Sequence, residues 1–535
     1  TVSLEDIEVP RWFMRRKTWW WVAAGGLVVL LIPCLVVMEE HYAGRRAWRS
    51  FLGEMERVGV GVTLDQVPAA FAVPQECAVL DQLTVLSLLQ VREPVHAGGT
   101  WPGGPVPQEL TGPGRAVACW QMDRVLLEDG LRMSWDEVRR AFGPTTVDLM
   151  TLRRRLLQEP IAFRPSLEDL TYGPQGAFAW ISVARHFNTR VGIELSAGDL
   201  PACQQTLVAA ARLARGTVPS NVRTGYIGFL AVGHISLRVL WAALQYPGWT
   251  DAELARLQGE WAVYDPVGRL PVVVLAERAV RLDRMQRADA FKDAMPANLI
   301  PKRNPFATYT GPITLLNPID AVERIGAGLR ELAFRAGMAT LRTAWLDHNR
   351  ALCARLMQTN VVAARRLVET RDARGIRPLT AALDERDAVL PDGPRAASLR
   401  HPRSLLCAGT RFSMTSTMEA AARLATVHQI TLTAIALKRF HLAQGRWPES
   451  LEELVPDLLP AIPRDWMDGQ PLRYRSSGAE EFLLYSVGED GVDDGGDPGE
   501  PPDSTIGEVL QGRDWVWPRP GVSGLLTRVG PDSGA

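Results

Sequence analysis

The segment between Arg475 and Arg513 has the residue types of a cation site, because it contains no basic residue and many acidic ones. Its carboxylates are Glu480, Glu481, Glu489, Asp490, Asp493, Asp494, Asp497, Glu500, Asp503 and Glu508. Crowded carboxylates repel one another unless water or a hard cation screens them, and Ca²⁺ accepts flexible cages of oxygen ligands. The pattern therefore indicates either a calcium site or a solvated acidic loop.

Glycines at 488, 491, 495 and 496 would let backbone carbonyl groups turn towards such a cation. The segment is not an EF-hand loop, since Val492 occupies the third position counted from Asp490. Elsewhere the sequence contains no HExxH motif, Walker-type loop or GxSxG elbow, and its His residues are scattered. We therefore predict no catalytic residue from local motifs, although a site built from residues far apart in sequence stays open.

The elements that must position the acidic segment are a long helix and two short strands. The apolar pattern predicts a helix over 413–444 that ends at Gly445, followed by a short helix capped by Ser450. Strands are predicted near 472–475 and 481–485.

This arrangement resembles the C-terminal domain of the major pseudopilin of type II secretion systems. The matching residues are, in order, Ala436-Leu437, Phe440, Gln444-Gly445-Arg446-Trp447-Pro448, Ser450-Leu451, Leu454, Pro456, Pro463, Asp465, Asp468-Gly469, Leu472, Tyr474, Tyr485-Ser486-Val487-Gly488, Asp490-Gly491, Gly495-Gly496 and Asp514-Trp515. The resemblance implies a calcium-binding final loop with Asp490 and Asp514 as liganding carboxylates. We add the neighbouring Asp493 and Asp494 to the candidate metal ligands. The loop is longer here than in a usual pseudopilin.

Residues 19–38 predict a transmembrane helix, because about 20 uncharged residues cross a hydrocarbon core of roughly 30 Å. Arg15-Arg16-Lys17 precede the segment and Glu39-Glu40 follow it, which favours a cytoplasmic tail over 1–18 and an extracytoplasmic remainder. The Trp residues at 19–21 suit an interfacial belt. We therefore expect the lipid bilayer to be a partner, through the segment from Trp19 to Met38.

Three alternatives to an uncleaved anchor are less favoured. A cleaved signal peptide would need a small-x-small site after the apolar run, which is missing. A lipoprotein signal at Leu31-Ile32-Pro33-Cys34 has proline before the cysteine, and a buried soluble helix would not have such polar boundaries. A second apolar run, Tyr226 to Leu244, carries His234 and Arg238 and predicts a buried helix, since these residues are costly in lipid.

The N-terminus departs from a pseudopilin. A pseudopilin begins Phe-Thr-Leu-x-Glu and continues as an apolar helix, whereas here Asp6, Glu8, Pro10 and Arg11 follow Thr1-Val-Ser-Leu-Glu5. We therefore expect that the chain is not itself a filament subunit. Its layout resembles uncharacterised single-pass membrane proteins of planctomycetes and verrucomicrobia.

The predicted fold class is mainly α, with a single N-terminal transmembrane helix, a large all-helical middle region and a small α+β pseudopilin-like C-terminal domain. The middle region spans 39–400, with a loop or boundary near 93–115, and the C-terminal domain spans 404–535, with its acidic loop at 486–514. Helices are expected within 176–191, 200–215, 268–291, 320–345 and 347–372, with capping boxes at Ser134–Glu137 and Thr250–Glu253. Residues 347–350 fit either a cleft lining or a solvated turn between two helices.

These features favour a bacterial inner-membrane protein whose periplasmic part is an interaction or scaffold module in a secretion-related or other envelope assembly. Other membrane or envelope proteins are its expected partners. A net charge of −1 provides no global basic field for nucleic acid. Two alternatives stay open, an extracytoplasmic hydrolase with its site in the helical middle and an accessory subunit of a larger membrane complex; the sequence indicates no small-molecule substrate.

Overall fold

The computed structural model describes residues 16–63, 66, 78–80, 149–158, 161–163, 175–216, 223–287, 318–388, 401–407, 411–476, 482–497 and 513–517. Across these residues the chain is mainly helical, as the sequence predicts. The predicted loop at 93–115 and the capping box at Ser134–Glu137 lie outside them. So do five of the acidic candidates, namely Glu480, Glu481, Glu500, Asp503 and Glu508.

The elements of the described residues are long helices and short strands. The helices are α1 (Arg16–Arg57), α2 (Gln175–Ser196), α3 (Leu200–Gly216), α4 (Arg223–Ala243), α5 (Asp251–Ala262), α6 (Leu270–Gln286), α7 (Pro318–Thr370), α8 (Ile376–Ala388) and α9 (Thr415–Gln444). The described residues 149–158 are helical as well. The strands are β1 (Ala78–Leu80), β2 (Ile161–Phe163), β3 (Arg473–Ser476), β4 (Phe482–Ser486) and β5 (Trp515–Trp517). Short 3₁₀ helices cover Ala373–Gly375, Pro402–Cys407 and Leu451–Leu454.

The chain divides into two compact units. Unit 1 comprises Thr1–Gln66, Arg278–Gln358 and Glu385–Phe412, and unit 2 comprises Val67–Glu277, Thr359–Asp384 and Ser413–Ala535. Each unit therefore gathers segments that are distant in sequence.

The core of unit 1 contains aromatic side chains of α1 that contact arginines. Trp48 and Phe51 are buried, and the Arg350 guanidinium lies 4.1 Å from the centroid of the Trp48 ring. Arg278 is fully buried and donates hydrogen bonds to the Gln358 side chain and to the carbonyl of Gly61. A buried guanidinium is tolerated only when its donors are satisfied, so these contacts fix the surrounding segments.

Unit 2 is built around α4, which packs against α2, and α9, which packs against α4 and α5. The capping box at the start of α5 forms as predicted, since the Thr250 side chain accepts from Glu253 N–H and the Glu253 side chain accepts from Thr250 N–H. In the core, His428 on α9 donates its Nε2–H to the carbonyl of Trp261 at 2.8 Å. This bond ties α9 to the end of α5.

Strands β3, β4 and β5 form an antiparallel sheet in that order, with Tyr474 opposite Leu484 and Tyr485 opposite Val516. The sequence pattern predicts β3 and β4 to within a residue or two, but not β5. A separate parallel pair, β1 and β2, was also not predicted. Strands of three residues are too short to show an alternating pattern.

One predicted helix boundary is wrong. The helices expected at 320–345 and 347–372 are one continuous helix, α7, so residues 347–350 form no turn. Asn349 is fully buried, and its amide bonds to backbone groups, which offsets the cost of removing it from water. The helix that carries the predicted span, α1, continues beyond it to Arg57.

Two helices of the described part are long and apolar enough to cross a membrane, Gly225–Ala243 within α4 and Thr415–Gln444, which is α9. In each, 78% of the apolar window is buried, which is the environment of a core helix and agrees with the prediction for 226–244. The predicted span at 19–38 lies on α1, where several side chains, including that of Trp19, fall outside the described residues.

Candidate metal centre

The C-terminal sheet is held to α9 by one buried carboxylate, that of Asp465. This side chain is 0% exposed, and its two oxygens accept from the N–H groups of Met467 and Val487 at 2.9 and 3.0 Å. Arg473 on β3 pairs with it at 3.1 Å, and the Thr426 hydroxyl on α9 donates to it at 3.4 Å. Asp465 thereby connects helix, turn and both neighbouring strands.

Arg473 extends this contact towards the acidic loop. Its guanidinium also pairs with Asp468 at 2.5 Å and lies 3.6 Å from Asp493. Desolvation opposes the charge of Arg473, but its carboxylate neighbours raise its pKa above the ordinary value. The guanidinium therefore stays charged and anchors one side of the loop.

A row of aromatic rings joins the end of α9 to the sheet. Gly445 ends the helix in the left-handed conformation, with φ +68°. Beyond it, the Trp447 ring lies 4.2 Å from His441 and 4.4 Å from Phe482, and Phe482 lies 5.7 Å from Trp517 on β5. The sheet on which the loop stands is therefore packed against the helix end.

The backbone of the acidic loop follows a path that requires glycine. Gly488 and Gly496 have φ of +65° and +88°, values that disfavour residues with a Cβ. A Cβ at Gly488 would also overlap the carbonyl oxygen of Arg513, and one at Gly496 would overlap the Leu483 side chain. The first approach brings the loop against the segment that leads into β5, and the second brings it against β4.

Asp514 is the predicted ligand that the fold buries. Its side chain is 0% exposed, and Oδ2 accepts from the N–H of Gly496 at 2.6 Å. Oδ1 is also buried and makes no hydrogen bond of normal geometry with the described residues. Burial raises the pKa of Asp514 above its ordinary value. The nearby carboxylates of Asp493 and Asp494 raise this pKa further, whereas the backbone N–H groups of Gly496 and Asp494 lower it. A buried carboxylate oxygen without a partner is costly and calls for a cation or a donor.

The other three predicted ligands lie in the loop and differ in their hydrogen bonds and burial. Asp493 accepts from the Tyr485 hydroxyl and the Gly495 N–H, both at 3.0 Å, and this N–H is the main cause that lowers its pKa. Asp490 accepts from the N–H of Val492 at 3.0 Å and is exposed. Asp494 is half-buried.

The candidate ligands suit calcium chemically, because they are carboxylates and glycine-rich backbone. One of the carboxylate oxygens, Asp514 Oδ1, is buried and has no hydrogen bond of normal geometry with the described residues. Across the described residues, no group of three or more His, Cys, Asp or Glu side chains is placed to hold a metal ion. Residues 498–512, which include further acids of the same loop, lie outside that part of the chain.

Asp465 and Arg473 were not predicted as organising residues. Asp465 was named only among the residues that match the pseudopilin domain, and its partners come from α9, β3 and β4. A signal was present in the pattern Asp465, Asp468, Arg473, since two acids and one base around a turn often form a local ion-pair network.

No protein-family model matches this chain, and no curated protein and no solved structure is significantly similar to it.

Proposed function

We propose that this protein is a single-pass bacterial inner-membrane protein whose periplasmic bulk is an interaction or scaffold module in a secretion-related or other envelope assembly. In this proposal an N-terminal transmembrane helix carries a helical middle region and a small α+β pseudopilin-like domain that binds calcium. The observation that carries the proposal is a run of exposed apolar side chains along the first part of α1.

These side chains are large and lie close together. They are Trp20, Trp21, Leu27, Leu31, Ile32, Leu35, Val36 and Met38, each between 48% and 79% exposed. Folded proteins rarely leave a contiguous apolar surface of this kind in water, because its hydration is unfavourable. A bilayer would remove the surface from water over the length that a membrane-spanning helix needs.

The end of the exposed run supports a membrane boundary at Glu40. Arg403 donates to the Glu40 carboxylate at 2.9 and 2.6 Å, and the Trp345 Nε1–H donates to it at 3.1 Å. The Arg403 bond is the first cause that lowers the pKa of Glu40, so this group is ionised at neutral pH. An ionised, paired carboxylate suits the aqueous side of the interface.

The charge asymmetry of the flanks supports the orientation. Arg15-Arg16-Lys17 directly precede the apolar run, whereas Arg45, Arg46 and Arg49 follow it only after six residues without Lys or Arg, and the positive residues next to a span face the cytoplasm. The chain after Glu40 is then periplasmic, where calcium and protein partners of the envelope are both accessible.

The C-terminal geometry supports a pseudopilin-like, calcium-binding domain. A long helix ends at Gly445, and a small antiparallel sheet carries a glycine-shaped acidic loop against β5. Asp514, Asp493 and Asp494 would hold the ion, with Asp490 at the entrance of the loop. Bound calcium would neutralise these carboxylates and fasten the loop to β5, which would give a stiff surface for docking.

The anchor is tested in bacterial cells that produce the full chain with a C-terminal epitope tag. We expect the protein to stay in carbonate-washed membranes and the tag to be removed by protease added to spheroplasts. Leu27→Arg with Leu31→Arg should release the protein from the membrane, because both arginines lie near the middle of the predicted span and each costs about 2.5–3.5 kcal/mol on insertion. The matched control is Leu329→Arg with Leu332→Arg on α7, where both leucines are similarly exposed (61% and 65%), and it should stay in the membrane. A wild-type protein that washes off, or a tag that protease cannot reach, would refute the proposal.

A further inference from the structure

Unit 1 buries two cysteines in adjacent elements. Cys353 lies on α7, Cys407 ends the 3₁₀ helix Pro402–Cys407, and both side chains are 0% exposed. Neither is in a disulfide in the structure. The function proposed above assigns no role to this pair.

Asn349 fixes the position of the 3₁₀ helix on α7. Its Nδ2 group donates to the carbonyl of Pro402 at 2.8 Å, and its Oδ1 accepts from the N–H of Leu406 at 2.8 Å. The Asn349 side chain is fully buried, so these bonds form away from water. The first and last turns of the short helix are therefore held at one position of α7.

The same position brings the two sulfur atoms together. Cys407 Sγ lies 3.5 Å from the backbone carbonyl of Asn349, which is the carbonyl that an α-helix pairs with the N–H of Cys353. A helical Cα–Cβ bond tilts towards the N-terminus of the helix, so the Cys353 side chain points back towards that carbonyl. The two thiols hydrogen-bond, and this contact is the first cause that raises the pKa of Cys407, with burial second.

We propose that Cys353 and Cys407 are a disulfide-forming pair that, once oxidised, covalently fastens the 402–407 segment to α7. The oxidant is a disulfide, supplied by a thiol oxidase in the cell or by oxidised glutathione in vitro. One thiolate attacks that disulfide and releases a thiol. The second thiolate then attacks the mixed disulfide, so the pair loses two electrons and two protons and the oxidant leaves as two thiols.

The raised pKa of Cys407 and the burial of both sulfur atoms slow this reaction in the folded protein. The bond is therefore expected to form while unit 1 folds, before the sulfur atoms are covered. Formation in the cell rests on the proposed periplasmic location, where disulfides persist. Formation in vitro rests only on the geometry of the two cysteines. The disulfide proposal and the proposed periplasmic location can therefore fail independently of each other.

The bond would stiffen the segment that holds the boundary of the predicted membrane span. Arg403, within the same 3₁₀ helix, is the residue that pairs with Glu40. Fastening Cys407 to α7 would keep Arg403 in place and would link about 50 residues of chain into a closed loop, which restricts the unfolded state.

The test maps the thiols and disulfides of the full-length protein. The protein is purified in detergent, unfolded, and refolded with reduced and oxidised glutathione. Circular dichroism follows the recovery of helix. Trypsin should release peptide 351–355 linked to peptide 404–411, and the linked mass should vanish on reduction. The oxidised protein should unfold about 5 °C above Cys353→Ser, while Cys203→Ser, a buried cysteine of unit 2, should keep the linked peptide.

A second arm uses protein from cells whose thiols are blocked by alkylation at lysis, and the same linked peptide is expected there. The proposal is overturned if both cysteines are recovered after refolding as free thiols, as glutathione adducts or in links to other cysteines. A link in vitro with alkylated thiols in cells would support the pair and contradict the periplasmic location instead.

Discussion

At the scale of single residues, two buried carboxylates near the C-terminal sheet differ in how well their oxygens are hydrogen-bonded. Asp465 receives two backbone N–H groups and a guanidinium, whereas Asp514 accepts at Oδ2 from the N–H of Gly496 and its Oδ1 has no hydrogen bond of normal geometry with the described residues. The satisfied carboxylate is structural. The unsatisfied one, which faces Asp493 and Asp494, is where a cation would be stabilising.

Calcium should stabilise the wild-type protein through Asp514. At a free calcium concentration 100 times the dissociation constant, binding adds about 2.7 kcal/mol, which raises Tm by several degrees. Asp514→Asn should lose most of this increment, since it removes the charge of a central ligand. The readout is Tm in calcium and in chelator by differential scanning fluorimetry.

The matched control for this measurement is Asp457→Asn, an exposed aspartate outside the acidic loop. It should respond to calcium as the wild type does. If calcium raises Tm equally in the wild type and in Asp514→Asn, Asp514 does not bind the ion.

His428 should make the protein sensitive to acid. Burial lowers its pKa from 6.5 to about 4, partly opposed by the Trp261 carbonyl that accepts its Nε2–H. Between these pH values the unfolded chain binds a proton that the folded chain does not, so stability falls as pH falls from 6.5 to 4. The loss approaches about 3 kcal/mol at the lower end.

Replacing the imidazole tests this dependence. His428→Gln keeps an N–H donor but cannot titrate, so the change in urea midpoint between pH 7 and pH 4 should be smaller than in the wild type. His401→Gln, at an exposed histidine, should leave the change unaltered. An unchanged slope in His428→Gln would show that other groups carry the acid sensitivity.

The sequence predicts some of these residues and not others for a physical reason. The acids at 490, 493 and 494 stand out because charge crowding is visible along a short stretch of chain, whereas Asp514, which follows Arg513, was predicted only through the pseudopilin resemblance. Asp465, Asn349 and His428 do not stand out, since each is satisfied by backbone groups of elements that are distant in sequence. The burial of these polar residues is therefore visible only in the folded structure.

At the scale of elements, α4 and the chain after α5 approach closely at one glycine. A Cβ on Gly233 would overlap the Tyr264 hydroxyl group, and Tyr264 is itself buried against Phe229, 5.2 Å between ring centroids, and Trp261, 5.5 Å. Because a rigid ring in a full core cannot move aside, this contact sets the distance between α4 and the end of α5.

Gly233→Ala should therefore destabilise the protein by about 1–3 kcal/mol, as overpacking does, despite the higher helix propensity of alanine. Gly259→Ala is the matched control, because this exposed glycine of α5 has open space at its Cβ. It should stabilise by about 1 kcal/mol. The measurement is the free energy of unfolding in urea. Changes of the same sign in Gly233→Ala and Gly259→Ala would contradict the packing argument.

Elements with a long local pattern were predicted, and those without one were not. The helices corresponding to α2, α3, α6 and α9 follow from apolar periodicity and their ends from glycine and capping residues. The break expected inside α7 was wrong because its polar residues 347–350 bond or stack with neighbouring side chains and backbone. The three-residue strands depend on pairing partners that no local pattern specifies.

At the scale of the whole molecule, the sequence predicts a mainly helical chain, and the structure agrees. The division into two units was not predicted, because each unit collects segments that lie apart in sequence: residues 67–277 separate the first two segments of unit 1, and residues 278–358 separate the first two of unit 2. The proposed function joins these features: an apolar stretch of α1 for the membrane and a C-terminal loop ordered by calcium for a partner.

The most direct test of this account is co-purification of the tagged full-length protein from chemically cross-linked cells in mild detergent, with calcium and with chelator. We predict one or more stoichiometric envelope proteins in calcium, lost in chelator and in Asp514→Asn, but kept in Asp457→Asn. A protein that purifies without partners in calcium would contradict a calcium-ordered docking module. So would partners that still co-purify both in chelator and with Asp514→Asn.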